Sequence, residues 1–317
     1  MGAFKFVGVG LMTRLMLLGA DGFIGAHVRA RLASEPDVDV TTVTRRGDVD
    51  ADVRLDLAES PVAVAHTLRD VAPDVVVNCA GSTTGEASLL AANNLVAVSN
   101  LVDALLTAGR PVRLVHLGSV AEYGRIPAGE AAREESPERP VTPYGLTKLA
   151  GTHLVRTAAA AGLDAVTLRV TTPIGPDAPV LTLAGRLVGQ LRQIEAEGAG
   201  GVTTGPLDDV RDFVDIRDVA DAVVAVALRP RGRAALPSVL NVGSGVATPT
   251  REMVTALLAL AGFTGGLRTD GGGAHRDTAL PWQHADITRA REALGWSPRH
   301  TLESSLHDLW HSALAHC

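Results

Sequence analysis

Short apolar runs at residues 14–18, 38–43, 53–55, 74–78, 112–117 and 165–170 alternate with helical patterns near 23–34, 61–71, 93–109 and 144–161. Strands separated by helices are not closed by hairpins, so the pattern predicts parallel pairing through crossover helices: an α/β, doubly wound parallel sheet. No solenoid-length repeat and no low-complexity linker divides the chain. The first run passes directly into Gly19, Ala20, Asp21, Gly22, Phe23, Ile24 and Gly25, with glycines spaced GxxGxxG. A tight strand-to-helix turn needs glycine, backbone that approaches a pyrophosphate has no room for a Cβ, and the first helical amides then meet the phosphate charge. A glycine triplet alone says little in a chain with 33 glycines. Its place between the first strand and a helix makes it a dinucleotide-binding signature.

Tyrosine occurs twice and lysine twice in the chain, yet Tyr144 and Lys148 stand four apart, with Ser119 upstream. Positions four apart share a helix face, so the ammonium can sit under the phenol. A phenol whose ordinary pKa is about 10 must be brought toward neutrality to act as an acid/base, and a neighbouring cation does this. The plain alternative is a surface lysine beside a half-buried tyrosine. Because arginine supplies nearly all the basic residues here, the pair reads as catalytic. Ser119 by itself would pass for a strand-end cap; beside the pair it reads as the hydroxyl that holds a substrate oxygen.

The composition, 46% apolar and 20% charged with a net charge of −6, is that of a globular protein with one large domain or two sharing a core. A mildly acidic chain without a basic run gives no electrostatic case for nucleic acid or an anionic membrane. Cys79 and Cys317 form neither a disulfide framework nor a metal spacing, and His275, His284 and the tail histidines show no ligand spacing. Metal is not implied, and a reducing cytoplasm fits. Residues 1–18 superficially resemble a signal peptide, but Gly8, Gly10 and Arg14 interrupt the apolar runs and no small-residue cleavage site follows. Met12 is an alternative start, with residues 1–11 as an extension. No stretch reads as the roughly 18 apolar residues of a membrane span.

The second strand runs out at Thr44, Arg45 and Arg46, where folds that prefer NAD place an acid for the ribose 2′-hydroxyl. A guanidinium there pairs instead with a 2′-phosphate, so NADP(H) is favoured and NAD stays open. Ordinary exposed loop charges are the alternative. Asp56 and Leu57 are expected at the adenine, and residues 78–81 against the cofactor.

The ordered motifs GADGFIG, Asn94, GSVAEYG (118–124), PYGLTK (143–148), Arg169, Gly175-Pro176, RDFVDIRDV (211–219), NVGSG (241–245) and residues 286–298 resemble the extended short-chain dehydrogenase/reductases, the NAD-dependent epimerase/dehydratase family. The resemblance implies a Rossmann domain over residues 1–172 and 211–243, with a smaller discontinuous substrate-binding cap over 173–210 and 244–317. It implies that Tyr144 is the general acid/base, that Lys148 lowers its pKa and holds the nicotinamide ribose, and that Ser119 binds the substrate oxygen. It also puts Ala80, Gly81, Asn94, Thr171, Pro173 and Ile174 against the cofactor, and Ser82, Thr83, Val120 and Thr172 against a substrate. Helices 93–109 and 144–161 are apolar on more than one face; in this family such a pair often forms a four-helix homodimer interface, though a monomer core would look the same.

Within the resemblance, sugar 4,6-dehydratases carry Asp-Glu after the Ser/Thr; here Val120 and Ala121 cannot transfer protons, so dehydration by that route is not expected. Strand alternation would turn Glu122 away from Ser119, which makes it structural. The stretch from Gly175-Pro176 through 190–196 resembles GDP-4-keto-6-deoxymannose reductases and other nucleotide-sugar 4-ketoreductases more than galactose epimerases. A 4-ketoreductase is therefore expected. The alternatives are a 4-epimerase with tightly held NAD, a reductase of a non-nucleotide natural-product ketone, and a non-catalytic dinucleotide-binding module. Where many members read Arg-x-Phe-Asn, this chain has Arg169, Val170, Thr171, Thr172 and Pro173. Arg211 and Arg276 are candidates for a substrate diphosphate, with Arg211 pairing to Asp215 or Asp218 as the structural alternative. Pro281 and glycines 271–273 read as a loop by the pocket or a plain surface connection.

Overall fold

The computed structural model of the protein describes residues 12–45, 51–198, 200–232, 234–270 and 280–315. The chain runs β1 (Thr13–Leu18), α1 (Phe23–Leu32), β2 (Val38–Thr44), β3 (Val53–Arg54), α2 (Pro61–Val71), β4 (Val75–Asn78), α3 (Ala87–Ala91), a π-helical turn (Ala92–Val96) and α4 (Ala97–Leu106). It continues through β5 (Arg113–Ser119), a 3-10 turn (Val120–Glu122), α5 (Pro143–Ala160), β6 (Asp164–Val170), β7 (Thr172–Ile174), α6 (Leu183–Glu197), β8 (Val202–Thr204), β9 (Val210–Asp215) and α7 (Ile216–Ala227). Last come β10 (Val239–Val242), β11 (Ala247–Pro249), α8 (Thr250–Leu260), β12 (Leu267–Thr269), β13 (Trp282–Gln283), α9 (Thr288–Leu294) and α10 (Leu302–Ala315).

Seven parallel strands make the main sheet in the order β10-β6-β5-β4-β1-β2-β3. The chain winds outward from β1 in one direction, then returns to β4 and winds the other way, so the switch point lies between β1 and β4. A crevice opens there at the carboxyl ends of the strands. Strand periodicity divides β1 between two cores. Leu15 and Leu17 pack with Val28, Val115, Leu168 and Val223 on one face, while Met16 and Leu18 pack with Leu68, Val76, Leu101 and Val155 on the other. All four residues of β4 and all seven of β5 are buried, as a strand covered by helices on both faces requires.

A smaller unit has its own core of Ile174, Leu187, Leu191, Phe213, Met253, Leu257, Leu306 and Trp310. It contains the sheet in which β9 pairs with β7, β11 and β13, and the pair β8 and β12. Within the stretch 244–317 expected in the cap, Ile287, Ala290 and Trp296 belong instead to the core beneath the main sheet. Carboxylates of the 211–219 motif tie these parts together. Asp218 accepts from the backbone N–H groups of Arg299 and His300, each at 3.0 Å, and Asp215 accepts from Ser305 Oγ at 2.6 Å.

Residues 87–106 form one continuous helical stretch of 20 residues, long and apolar enough by composition alone to cross a membrane, which corrects the sequence expectation that no segment reaches that length. Half of it is buried inside the protein, where Val98, Leu101, Val102 and Leu105 fill the core. Its apolarity is that of a core helix.

Candidate active site

The glycine turn closes the crevice from one side. Gly19 has φ +71°, and a Cβ there would lie 2.8 Å from Ala80 N, so β1 can leave the sheet alongside the end of β4 only as glycine. Gly22 is the N-cap of α1; no side chain caps this helix and its first turn has no acid. The first amides of α1 are therefore available to an anion. The crevice has a volume of about 220 Å³ and is lined by Gly19, Asp21, Gly22, Arg45, Asp56, Leu57, Ala80, Gly81 and Asn93, among others. Phe23, Ile24 and Gly25 form the first turn of α1 behind it. Arg45 is exposed at the end of β2 and donates to Asn93 Oδ1 at 3.1 Å. Asp56 Oδ1 accepts from Ala58 N at 2.9 Å, which bends the chain past Leu57. Arg46 and Arg276 lie outside the described residues, as do residues 1–11, 271–273, His275 and Cys317.

Asn94 is the polar centre of the π turn and is 1% exposed. Its Oδ1 accepts from Ser82 N and its Nδ2 donates to Ser82 O, both at 2.8 Å, so one amide clasps the backbone after β4 as a strand neighbour would. Nδ2 also donates to Thr147 Oγ1 at 3.1 Å, which joins that clasp to α5. The helix expected at 93–109 begins six residues earlier, at Ala87; the Gly and Thr residues just before it mark the loop, and the Asn-Asn pair is absorbed by the wider turn rather than starting the helix. Thr83, beyond Ser82, is exposed.

Thr142 caps α5, its Oγ1 accepting from Gly145 N at 3.0 Å, with Pro143 in the first turn. A Cβ on Gly145 would lie 2.6 Å from Ala121 O. Only glycine lets the start of α5 come this close to the turn after β5, and this approach sets Tyr144 beside Ser119. The Ser119 hydroxyl lies near enough to the Tyr144 phenol to lower its pKa, and it accepts from Ala121 N at 3.2 Å. Lys148 is buried one turn further on, its ammonium donating to the Leu117 carbonyl. A Cβ on Gly81 would come within 3.9 Å of its Nζ. The three side chains and the end of the glycine-lined crevice thus meet at the rim of the sheet.

The electrostatics differ from the sequence expectation. Burial pushes the Tyr144 phenol above its ordinary range, the Ser119 hydroxyl opposes this, and the Glu122 carboxylate adds to it. Burial lowers the Lys148 ammonium, while Glu122 and Cys79 raise it. In the chain itself the lysine is directed at the Leu117 carbonyl, and the phenol is held protonated rather than drawn toward neutrality.

Glu122 is structural, but strand alternation is not the cause, because it does not lie on the strand. β5 ends at Ser119, and the 3-10 turn curls Glu122 back beneath it in a capping box. Its Oε1 accepts from Ser119 N at 2.8 Å and from Thr152 Oγ1 at 3.0 Å; its Oε2 accepts from Arg169 Nε at 2.6 Å. Arg169 also donates to Glu138 and stacks 4.5 Å above the Tyr123 ring. Tyr123, whose phenol burial pushes up to about 12, donates to Asn241 Oδ1 at 2.7 Å. This buried lattice braces Ser119 and α5. Val120 and Ala121 are buried and apolar in the same turn.

On the substrate side Thr171 is buried and donates to Asp212 at 3.4 Å, while Thr172, Pro173 and Ile174 form β7 against β9. Burial raises the Asp212 carboxyl, which accepts from Ser244 N and Ser244 Oγ, each at 2.7 Å. Arg211 pairs with neither Asp215 nor Asp218. Its guanidinium meets Asp209 at 2.5 Å and donates to the Leu280 carbonyl at 2.7 Å. On a strand, Asp215 sits four residues away and is already committed to Arg217. Sequence reasoning missed Asn93, Glu138 and Asp212; two adjacent asparagines in an otherwise apolar helix were the available signal for the first.

A glycine turn at the switch point, a crevice beside it and the Ser119, Tyr144 and Lys148 cluster at its end define the class: an NAD(P)-dependent oxidoreductase of the extended short-chain dehydrogenase/reductase type. The chain belongs to the NAD dependent epimerase/dehydratase family, whose sequence profile matches residues 15–243. It is 36% identical over 309 residues to dTDP-6-deoxy-L-talose 4-dehydrogenase (NAD(P)(+)) of Kitasatospora kifunensis, covering 94% of each chain. The structure of RMD from Pseudomonas aeruginosa complexed with NADPH has a TM-score of 0.81 and 25% identity, covering 97% of this chain and 100% of that one. The UDP-glucose 4-epimerase of Thermus thermophilus in complex with NAD gives a TM-score of 0.82 and 25% identity, covering 95% and 99%. Enzymes that modify nucleotide sugars are thus among its relatives, and its structural neighbours bind NADPH in one case and NAD in another.

Proposed function

We propose that the protein is an NADPH-dependent reductase of a 4-keto-6-deoxy nucleotide sugar. The observation that carries this reading is the proton-transferring pair at the rim: Gly145 lets α5 approach the turn after β5 and sets Tyr144 beside Ser119, and the two residues after Ser119, Val120 and Ala121, are apolar and buried. One proton donor is what a ketone reduction needs; removal of a C5 proton with loss of a C6 hydroxyl needs more. The relative that is a 4-dehydrogenase of a dTDP-6-deoxysugar is named for the same bond change in the opposite direction, which supports the C4 position.

When bound, the reduced nicotinamide supplies hydride. The Ser119 hydroxyl positions the keto oxygen, and the Tyr144 phenol donates its proton as negative charge grows on that oxygen. A phenol held above its ordinary range by burial and Glu122 is protonated at neutral pH, the state that reduction requires and oxidation does not. Lys148 supplies positive charge beneath the site and steadies the phenolate that remains. The uncapped amides of α1 hold the pyrophosphate, Asp56 and Leu57 flank the adenine, and Arg45 faces the 2′-phosphate. Thr172 and Arg211 serve the substrate, with the unit built on β7, β9 and α6 as its cap. The protein acts in the cytoplasm as a homodimer through the exposed Leu89, Val96 and Leu146; sedimentation of a monomer at micromolar concentration would overturn that assembly.

Tyr144→Phe is expected to lower turnover by about 10²–10⁴-fold while NADPH affinity stays within about twofold; a near-normal rate refutes the role. Denaturing the purified protein and identifying the released dinucleotide separates the competing readings. NADP, or an exchangeable site, supports reduction; stoichiometric NAD that does not exchange supports 4-epimerisation instead.

A further inference from the structure

The π turn places two consecutive asparagines on the same neighbour. In a regular α-helix consecutive side chains point to different faces; the wider turn at Ala92–Val96 narrows their separation, and such turns recur at functional sites. Asn94 holds the Ser82 backbone, and Asn93 Nδ2 donates to the Ser82 hydroxyl at 2.7 Å. The Arg45 guanidinium on the other side carries only donors, so the Asn93 oxygen must face it and the nitrogen is left to Ser82. Oxygen and guanidinium meet at 3.1 Å, and both residues line the crevice.

We propose that Asn93 is a positioning residue that sets cofactor choice by holding the Arg45 guanidinium over the adenosine end of the crevice. This inference rests on the NADPH reading above. A flexible exposed arginine loses side-chain freedom when it captures a phosphate; one already bracketed has lost part of it beforehand. The bracket is also neutral. Asn93 occupies a single N–H of a group with five donors and leaves its charge intact, and among the described residues no carboxylate lies within ion-pair distance of Arg45. An aspartate at position 93 would pair with the guanidinium and compete with a 2′-phosphate for it. NADH has no phosphate there and would not register the change.

The test is direct binding of NADPH and NADH, followed by nucleotide fluorescence, to the wild type and to Asn93→Asp, Asn93→Ala and Arg45→Ala. Asn93→Asp is expected to weaken NADPH by about tenfold or more and Asn93→Ala by about threefold, with NADH held within about twofold. Unchanged NADH affinity also reports that the crevice is intact. Equal losses for both cofactors, or no loss for NADPH in either variant, overturn the proposal. Should the wild type show no preference for NADPH over NADH, the NADPH reading itself fails; should Arg45→Ala leave an existing preference untouched, the role of Arg45, and with it that of Asn93, fails. Should Arg45→Ala abolish the preference while both Asn93 variants keep it, only the role of Asn93 fails.

Discussion

Glu122 shows how one side chain can serve both packing and chemistry. It is fully buried, binds Ser119 N, Thr152 and Arg169, and helps keep the Tyr144 phenol protonated. Glu122→Gln is expected to cost about 1.5–3 kcal/mol of stability, because it removes one of the two carboxylates that pair with a buried guanidinium, and to shift the alkaline limb of the activity profile downward. A fall in melting temperature without a move of that limb would show that the carboxylate acts by packing alone. Glu138, which holds the other side of Arg169, gives a second prediction. Desolvation works to raise its carboxyl, yet Arg169, His153 and Arg156 keep it below the ordinary glutamate range. A depressed folded-state pKa means stabilisation that is present above the unfolded value of about 4.3 and is lost as pH falls through the lower folded value. Urea titrations between neutral pH and pH 3 should therefore show a decline that Glu138→Gln makes shallower; parallel curves for the two proteins contradict the assignment.

At the scale of elements, each piece of the crevice depends on where a helix begins. α1 starts bare at Gly22, α5 starts on Thr142 and Pro143 against the 3-10 turn, and the stretch 87–106 widens at Asn93 and Asn94. Deleting Ala92 would restore a regular helix and turn Asn93 and Asn94 away from their shared contact with Ser82. Dinucleotide affinity is expected to fall at least about tenfold with helical circular dichroism retained; unchanged affinity would mean the widened turn is irrelevant to the site. The strands and the glycine turn were legible because their signals are local: β-branched runs, glycine between a strand and a helix, a tyrosine and a lysine one turn apart. What was not legible depends on contacts across the fold. Nothing near Glu122 in the chain announces Arg169, and the partner of Arg211 is set by the carboxylate two residues back, whose direction alternation alone does not fix. The charge state of Tyr144 follows from burial, which spacing does not report.

For the whole molecule, the two directions of winding from β1 and β4 create the crevice, and α7, packed against the large sheet, holds the segment leading into α10 through Asp218. In a reductase, hydride enters from an exchangeable donor and stays in the product. A bound NAD that oxidises and re-reduces the same sugar would leave no net transfer. The most direct measurement is reaction of the purified protein with a 4-keto-6-deoxy nucleotide sugar and NADPH deuterated at nicotinamide C4, on each face in turn, with the product analysed by mass spectrometry and NMR. Reduction by Tyr144 and NADPH gives one deuterium per product at sugar C4 from one face only, with one NADPH consumed. Product formed without deuterium, or without NADPH consumption, contradicts it.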